Sequence, residues 1–94
     1  MFYIVLRQNL KSRAEWPLEL LQDHLKWADT ECASGSLVLS GPGNAKSMGI
    51  YLIKAADLQA ARTVTERDPI IHRGFCTYDI YDWDIQRGAK LLPS

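Results

Sequence analysis

Several features that mark specialised protein classes are scarce in this sequence. It has two cysteines, Cys32 and Cys76, which are too few for a disulfide framework and too widely spaced for a metal knuckle. Eleven basic residues balance eleven acidic ones, so the chain lacks the positive excess that binds nucleic acid or anionic membranes. The apolar run at residues 1–6 is too short for a signal peptide or a membrane span. We therefore expect a cytoplasmic protein with two buried, reduced thiols and with neither a nucleic-acid nor a membrane partner.

The length and composition predict one small globular domain over residues 1–94. Hydrophobic residues make up 47% of the chain and charged residues 23%, which is far from the disordered class. A chain of this size buries roughly 60–65% of the surface that it exposes when unfolded, so its core is modest. Oligomerisation commonly stabilises such chains, because a partner subunit that binds only the folded form favours that form.

The succession of apolar patterns predicts a β-α-β-β-α-β order. This is the split βαβ arrangement of a ferredoxin-like α+β fold, in which two helices cover one face of an antiparallel sheet. The apolar phase changes along the last strand, and a bulge near Ile80 would explain the change. The predicted strands span residues 2–8, 36–40, 48–54 and 75–85, a turn spans 41–44, and the helices run from between 12 and 17 to 34 and from 57 to near 67.

The first and third predicted strands are apolar on both sides. In the first strand, for example, Ile4 and Leu6 alternate with Tyr3 and Val5. A strand that is apolar on both sides is buried on both sides, yet two helices cover one face of the sheet only. No predicted segment remains for the second face, so we predict a homodimer in which one sheet packs against the other.

Two polar residues stand out in the predicted helical layer. His24 lies at the edge of the apolar stripe of the first helix, and Asp68 precedes Pro69 at the end of the second. Each has an ordinary explanation when taken alone: a half-buried histidine bonded to a backbone carbonyl, and the acidic residue of a turn. Because both helices lie on one sheet face, the two side chains can meet, and a carboxylate on one imidazole nitrogen would leave the other free as a general base. The stripe comprises Leu18, Leu21, Leu25, Ala28 and Cys32.

Two other patterns do not predict cofactor sites. Residues 40–47 end like a phosphate-binding loop, but both signature glycines are missing, at Ser40 and Ala45, and a strand follows instead of a helix. His72 follows Asp68 by four residues, where a metal site shared with His24 is conceivable, but the polar turn around it favours a solvent-facing side chain. We therefore expect neither a metal nor a cofactor.

The motifs taken together resemble the YCII-related family of small dimeric α+β barrel proteins. The resemblance rests on His24-Leu25, the run from Gly35 to Pro42, Asp68-Pro69 with Gly74, and Tyr78-Asp79-Ile80 with Trp83. It implies an active site made by His24 and Asp68. It also implies a pocket bordered by the Ser-Gly-Pro turn. Aromatic residues are further candidates for its wall, with core packing as the alternative for each, and the predicted substrate-binding residues are Ser40, Gly41, Pro42 and Trp83.

Two functions remain as alternatives. The first, which the resemblance implies, is a cofactor-free lyase or isomerase that uses His24 and Asp68 for proton transfer on a small cyclic or aromatic metabolite, as in dehydrochlorination. The second is a dimeric protein that binds a small ligand, or assists a larger enzyme, without chemistry at His24. An enclosed apolar cavity that holds both side chains would favour the first function, and an open, water-filled surface at His24 would favour the second.

Overall fold

A four-stranded sheet with helices on one face makes up the protein. The computed structural model describes residues 1–92, so residues 93–94 of the predicted domain lie outside the described part. The strands are β1 Phe2–Asn9, β2 Leu37–Gly43, β3 Met48–Lys54 and β4 Cys76–Asp82. The α-helices are α1 Leu18–Ser34, α2 Leu58–Glu66 and the single turn α3 Pro69–His72, and 3₁₀ turns occupy Arg13–Glu15 and Ala89–Leu91.

The strands pair antiparallel in the order β2-β3-β1-β4. With the helices α1 and α2 as crossovers, this order confirms the predicted ferredoxin-like α+β fold. The strands β1 and β3 occupy the centre of the sheet and therefore position the residues that face the helices. Within residues 1–92, no helix is long and apolar enough to cross a bilayer.

The main core lies between the helices and one face of the two central strands. Alternate residues of β1 and β3 point to this face, so that Tyr3, Val5 and Tyr51 are buried there. Trp27 fixes α1 against α2, because its indole N–H donates a hydrogen bond of 3.1 Å to the Val64 carbonyl oxygen. A second buried cluster joins α3 to α1 and β4, and its members are Trp16, Leu20, Ile70 and Cys76.

The opposite face of the sheet is apolar and uncovered. A row of apolar residues crosses all four strands, because Ile4 pairs with Leu52 and Tyr81, and Leu52 pairs in turn with Leu39. At the two ends of this row, Leu39 is 59% exposed and Tyr81 is 53% exposed. The central strands are thus apolar on both sides, as their sequence pattern indicates, while the helices cover one side.

The buried face of α1 differs from the predicted stripe. Leu20 and Trp27 face the core, whereas Leu18 and Leu25 are exposed. The prediction followed the spacing of the leucines, but an indole buries more apolar area than a leucine side chain and decides the rotation of the helix. His24 is spaced four residues from Leu20 and three from Trp27, so it lies within the buried face and not at its edge.

The two cysteines lie in different environments. Cys76 is buried in the second cluster, but Cys32 is exposed, and both are free thiols. The prediction of two buried thiols is therefore wrong for Cys32, because the rotation of α1 that buries Trp27 turns this residue towards solvent.

Two strand boundaries also differ from the predictions. The second strand continues through the predicted turn at residues 41–44 and ends at Gly43, which an edge strand allows although it contains a proline. The last strand ends at Asp82, and its register with β1 runs through Ile80 without a break. No bulge is needed there because both faces of this strand carry apolar residues. The irregularity in the described sheet lies in β2 instead, between Leu37 and Leu39.

Candidate active site

Asp68 occupies the junction between α2 and α3. The proline at position 69 favours extended backbone at Asp68, whose ψ is 120°, and this ends the preceding helix. Asp68 is then the N-cap of α3, and its Oδ1 accepts a hydrogen bond of 3.3 Å from the Ile70 N–H. The side chain is 0% exposed. The Asp-Pro dipeptide thus closes one helix, opens the next, and leaves a carboxylate inside the protein.

His24 reaches this carboxylate from the middle of α1. Its Nδ1 lies 2.8 Å from Asp68 Oδ1, and the imidazole side chain is 16% exposed. The structure therefore brings together the two residues that the sequence singled out. Because a carboxylate accepts hydrogen bonds and does not donate them, the proton of this contact belongs to Nδ1, and Nε2 keeps its lone pair when the imidazole is neutral.

Tyr51 completes the set of donors around Asp68. Its phenol O–H donates to Asp68 Oδ2 at 2.5 Å. Burial, together with the nearby Asp68 charge, raises the pKa of Tyr51 far above its ordinary range, so the phenol stays protonated and remains a donor. The buried carboxylate consequently accepts from an imidazole, a phenol and a backbone N–H, which fixes both of its oxygen atoms.

The imidazole plane is held by a second contact. His24 stacks on Trp27 with ring centroids 5.8 Å apart and an angle of 26° between the planes. The centroids of the Trp27 and Tyr51 rings are in turn 5.3 Å apart. Nothing in the described part of the chain donates to or accepts from His24 Nε2. The arrangement therefore presents one oriented ring nitrogen that can take or give a proton.

His24 and Tyr51 line a cavity of about 180 Å³ between α1 and the β2 edge of the sheet. An apolar cavity of about 150 Å³ can hold benzene, so this volume suits a single small ring. Leu21 and Leu25, which belong to the predicted apolar stripe, form part of its wall and not of the core. The other lining residues are Arg7, Arg13, Trp16, Ala28, Ser40, Gly41 and Pro42.

The remaining predicted residues line the His24 cavity, a neighbouring groove, or neither. Ser40, Gly41 and Pro42 line the His24 cavity. Trp83 does not line that cavity. It lines a shallow groove of about 390 Å³ on the uncovered face of the sheet, and Ser40, Gly41 and Pro42 line this groove as well, together with residues of β1 and β3. His72 lies on the exposed side of α3, away from the cavity. In the part of the chain that the structure describes, no three side chains cluster as metal ligands.

Sequence reasoning missed Arg7, which lies in β1 and points towards the helices. Its side chain is buried, and its Nη1 donates to Asn9 Oδ1 at 3.2 Å and to Cys76 Sγ at 3.5 Å. The partner residue across the sheet is Gly49, where an added Cβ would lie 2.5 Å from Arg7 Nε. A charged residue in phase with Tyr3 and Val5 was the available signal, since period-two alternation puts it on the buried face.

The folded chain is similar to two solved enzymes, and the likeness extends to the fold alone. One is a 5-chloro-2-hydroxyhydroquinone dehydrochlorinase from Burkholderia phenoliruptrix AC1100, solved with 2,5-dihydroxybenzoquinone: 15% identity, 89% of this chain and 94% of that chain covered, TM-score 0.73. The other is a muconolactone isomerase, with 10% identity, coverage of 95% and 94%, and a TM-score of 0.77.

Comparison of the sequence with family models identifies the family of this chain. A comparison with curated proteins gave no match. The sequence model of the YCII-related domain, however, matches residues 1–84, which include all four strands and the contact between His24 and Asp68. The chain belongs to the YCII-related family.

Proposed function

We propose that the protein is a small lyase or isomerase in which His24 transfers a proton on a cyclic or aromatic substrate. The observation that carries this proposal is the 2.8 Å contact between His24 Nδ1 and the buried Asp68 carboxylate, with His24 in the wall of a cavity that suits one ring and Asp68 behind it. Asp68 is then a positioning residue, because it fixes the tautomer of His24 and stabilises the imidazolium that forms.

The chemistry requires one proton acceptor and an enclosed site. His24 Nε2 takes a proton from the substrate, and the electron pair left behind either expels a leaving group or moves along the ring system. In the first case the step is an elimination, and in the second His24 returns the proton at a different atom. Neither route needs an electron donor or acceptor, so an acid–base residue with a supporting carboxylate is sufficient.

The substrate class is suggested by the two enzymes of similar fold. One carries a dehydrochlorinase name and was solved with a dihydroxybenzoquinone, and the other is a lactone isomerase. Both names denote work on small rings, and the cavity beside His24 has the volume for such a ring. We assign Ser40, Gly41 and Pro42 to the substrate-facing wall, while Trp83 would contribute only from the other side of β2.

The proposed active form is a homodimer that covers the open sheet face. The apolar row across this face ends in Leu39 and Tyr81, and Trp83 is 46% exposed beside it. Apolar surface of this kind gains free energy when a second apolar surface covers it. An identical sheet is self-complementary in this sense, because a two-fold axis brings the same row against itself.

Replacing His24 with Gln tests the mechanism. The substrates to assay are chlorinated hydroxyquinols and unsaturated lactones, with product formation followed by chromatography. Loss of a general base should lower turnover by about 10²–10⁴-fold. His72→Gln is the matched control, since His72 is the other of the two histidines and is exposed.

The outcomes separate the two functions. Turnover that survives His24→Gln contradicts the mechanism. A wild-type protein that binds these ring compounds and leaves them unchanged, with the same affinity in the His24→Gln variant, would instead support a dimeric ligand-binding or accessory role.

A further inference from the structure

Arg7 is a buried cation without an anionic partner. The ion pairs of the described residues join His24 to Asp68, Arg67 to Glu31 and Arg73 to Asp23, and none of them includes Arg7. Its residue exposure is 5%, and its hydrogen-bond acceptors, Asn9 and Cys76, are uncharged. Burial raises the pKa of the Cys76 thiol, which keeps this neighbour neutral. The Asp68 charge acts on Tyr51 and Cys76 as the Arg7 charge does, but neither a hydrogen bond nor an ion pair joins Asp68 to Arg7. A buried guanidinium without a charged acceptor in contact is unfavourable, and such an acceptor would stabilise it.

Two buried donors that belong to residues of the cavity wall also lack acceptors. Arg7 Nε and Trp16 Nε1 are both shielded from solvent, and neither donates to any atom of the described residues. Trp16 is 9% exposed. The guanidinium carbons of Arg7 and Arg13 each lie 5.6 Å from the centre of the Trp16 ring. Two cations and an unused indole N–H therefore meet in one region of the wall.

The charge of the cavity lining has a single sign. Arg7, Arg13 and His24 line it, and no Asp or Glu does. The Asp68 carboxylate stands behind this wall, where His24 and Tyr51 already occupy its oxygens. Donors that are buried and unpaired are rare in folded proteins, because each costs free energy that an acceptor would recover.

We propose that the cavity selects a one-ring compound that carries an anionic oxygen, a carboxylate or an enolate, and that Arg7 and Trp16 donate to it. This inference rests on the proposed function and names the substrate class of the same cavity. The anion binds at Arg7 and Trp16, and the ring extends towards His24. A charged acceptor suits these donors better than a neutral one, since charge-assisted hydrogen bonds are roughly twice as strong.

A purely structural role for Arg7 makes a different prediction. Its guanidinium lies 5.6 Å from the Trp16 ring and 5.8 Å from the Tyr51 ring, and such cation–π contacts could serve packing alone. In that case Arg7→Met should destabilise the ligand-free protein. If the charge serves a ligand, methionine should leave the stability of the ligand-free protein unchanged or raise it, because replacing a buried charge with an apolar side chain is often neutral or stabilising.

The test uses benzoate as the probe and benzamide as its uncharged counterpart. Both are titrated into the full-length protein by calorimetry, and the indole N–H resonances are followed by ¹⁵N NMR. Benzoate should bind about tenfold or more tightly than benzamide. It should also move the Trp16 indole resonance and leave that of Trp27 in place, because Trp27 already donates to Val64.

Variants identify the donors. Arg7→Met should weaken benzoate binding by about 100-fold, and Trp16→Phe, which keeps an aromatic ring and removes the N–H, by about tenfold. Arg73→Met is the matched control, because it removes an exposed arginine from the surface. If Arg7→Met does not fold, Trp16→Phe and the indole shift still decide the question.

The proposal is overturned if wild-type protein does not bind benzoate, if benzamide binds equally well, or if both donor variants keep wild-type affinity. His24→Gln separates it from the proposed function. Retained benzoate binding in that variant, together with lost turnover, supports both proposals. Retained turnover refutes the role of His24. The anion site is then decided by the benzoate affinities of the Arg7 and Trp16 variants alone.

Discussion

Asp68 and Arg7 are both buried charges beside one cavity, but they differ in their hydrogen-bond partners. Asp68 accepts from His24, Tyr51 and the Ile70 backbone, so the donor set around this anion is complete. Arg7 is bonded only to neutral groups, and one of its N–H donors is unused within residues 1–92. Two charges of similar burial therefore differ in whether the folded chain itself completes their hydrogen bonds.

This difference in hydrogen bonding suggests different roles for the two residues: Asp68 positions a catalytic side chain, and Arg7 binds a ligand. A charge whose hydrogen bonds are complete has one geometry, and it can fix a neighbouring side chain such as His24. A charge whose hydrogen bonds are incomplete can form further hydrogen bonds to a ligand, and these contribute to the free energy of binding. Stability measurements should therefore respond strongly to changes around Asp68, and ligand affinity should respond most strongly to changes around Arg7.

The largest stability effect is expected from Asp68→Ala. The substitution leaves the Tyr51 O–H and the Ile70 N–H buried without an acceptor, and it removes the partner of His24, so we expect a loss of about 3–5 kcal/mol in urea unfolding. Asp23→Ala is the matched control. Asp23 pairs with Arg73 at the same 2.8 Å, but both side chains are well exposed, so its loss should cost less than about 1 kcal/mol. Similar losses for the two variants would contradict the distinction.

The next effect is expected from Gly49→Ala. The new Cβ would lie 2.5 Å from Arg7 Nε and 2.7 Å from Cζ, so the guanidinium must leave its place. We expect a loss of about 1–3 kcal/mol from overpacking, and a loss of benzoate affinity like that of Arg7→Met. Gly41→Ala, which meets nothing within 4 Å, should stay within about 0.5 kcal/mol of wild type. Unchanged benzoate affinity in Gly49→Ala would show that Arg7 can act on the ligand without its guanidinium lying against Gly49.

Tyr51→Phe should lower the free energy of unfolding less than Asp68→Ala and Gly49→Ala at pH 8, and the size of this loss should change at high pH. Loss of the hydrogen bond to Asp68 should cost about 1–2 kcal/mol. Burial raises the pKa of Tyr51 above its ordinary value of 10, so the folded protein holds this proton while the unfolded chain releases it. The stability from this group is complete below pH 10 and falls above it, by up to about 1.4 kcal/mol per pH unit.

Urea unfolding of wild type and Tyr51→Phe from pH 8 to 11 measures this alkaline loss. The difference between the two proteins should shrink as the pH rises past 10. Tyr81→Phe, at an exposed phenol on the other face of the sheet, should follow the wild-type curve. A constant difference across the range would mean that Tyr51 does not hold its proton in the folded state.

The smallest effect concerns the thiols and leaves stability untouched. Cys32 is exposed, whereas Cys76 is buried against Arg7, and burial raises the pKa of the Cys76 thiol more than the guanidinium lowers it. Since the thiolate is the reactive form, a disulfide reagent at pH 8 should modify Cys32 quickly and Cys76 only after unfolding. Cys32→Ser isolates the second thiol. Two fast equivalents in the native wild type would contradict the buried environment beside Arg7.

The sequence was sufficient for those features that depend on neighbours along the chain. The Asp57 side chain caps α2 by accepting from the Ala60 N–H at 2.8 Å, and Gly35 ends α1 with a φ of 88°. The approach of His24 to Asp68 could be expected as well, because it requires only that both helices lie on one sheet face. Local signals and topology together therefore identified Asp68, one of the two buried charges compared above.

Other features depend on side-chain volume and on pairing across the sheet, which a single sequence does not fix. The rotation of α1 follows Trp27 and not the more numerous leucines, so the predicted stripe lies partly along the cavity. Arg7 escaped notice because its environment is made by Gly49, 42 positions away (49 − 7) and adjacent only through the register of β1 and β3. Alternation along β1 indicates that Arg7 is buried, but only the register with β3 shows which residue lies opposite its guanidinium.

Gly49 also constrains the order in which this site can change. The space above its Cα is filled by the Arg7 guanidinium, so a side chain at position 49 fits without displacing that group only after Arg7 has been replaced. In the reverse order the guanidinium must shift to another position while its charge is still present. The place of the guanidinium and a Cβ at position 49 are therefore mutually exclusive, so the conformation of Arg7 depends on the absence of a side chain on the neighbouring strand.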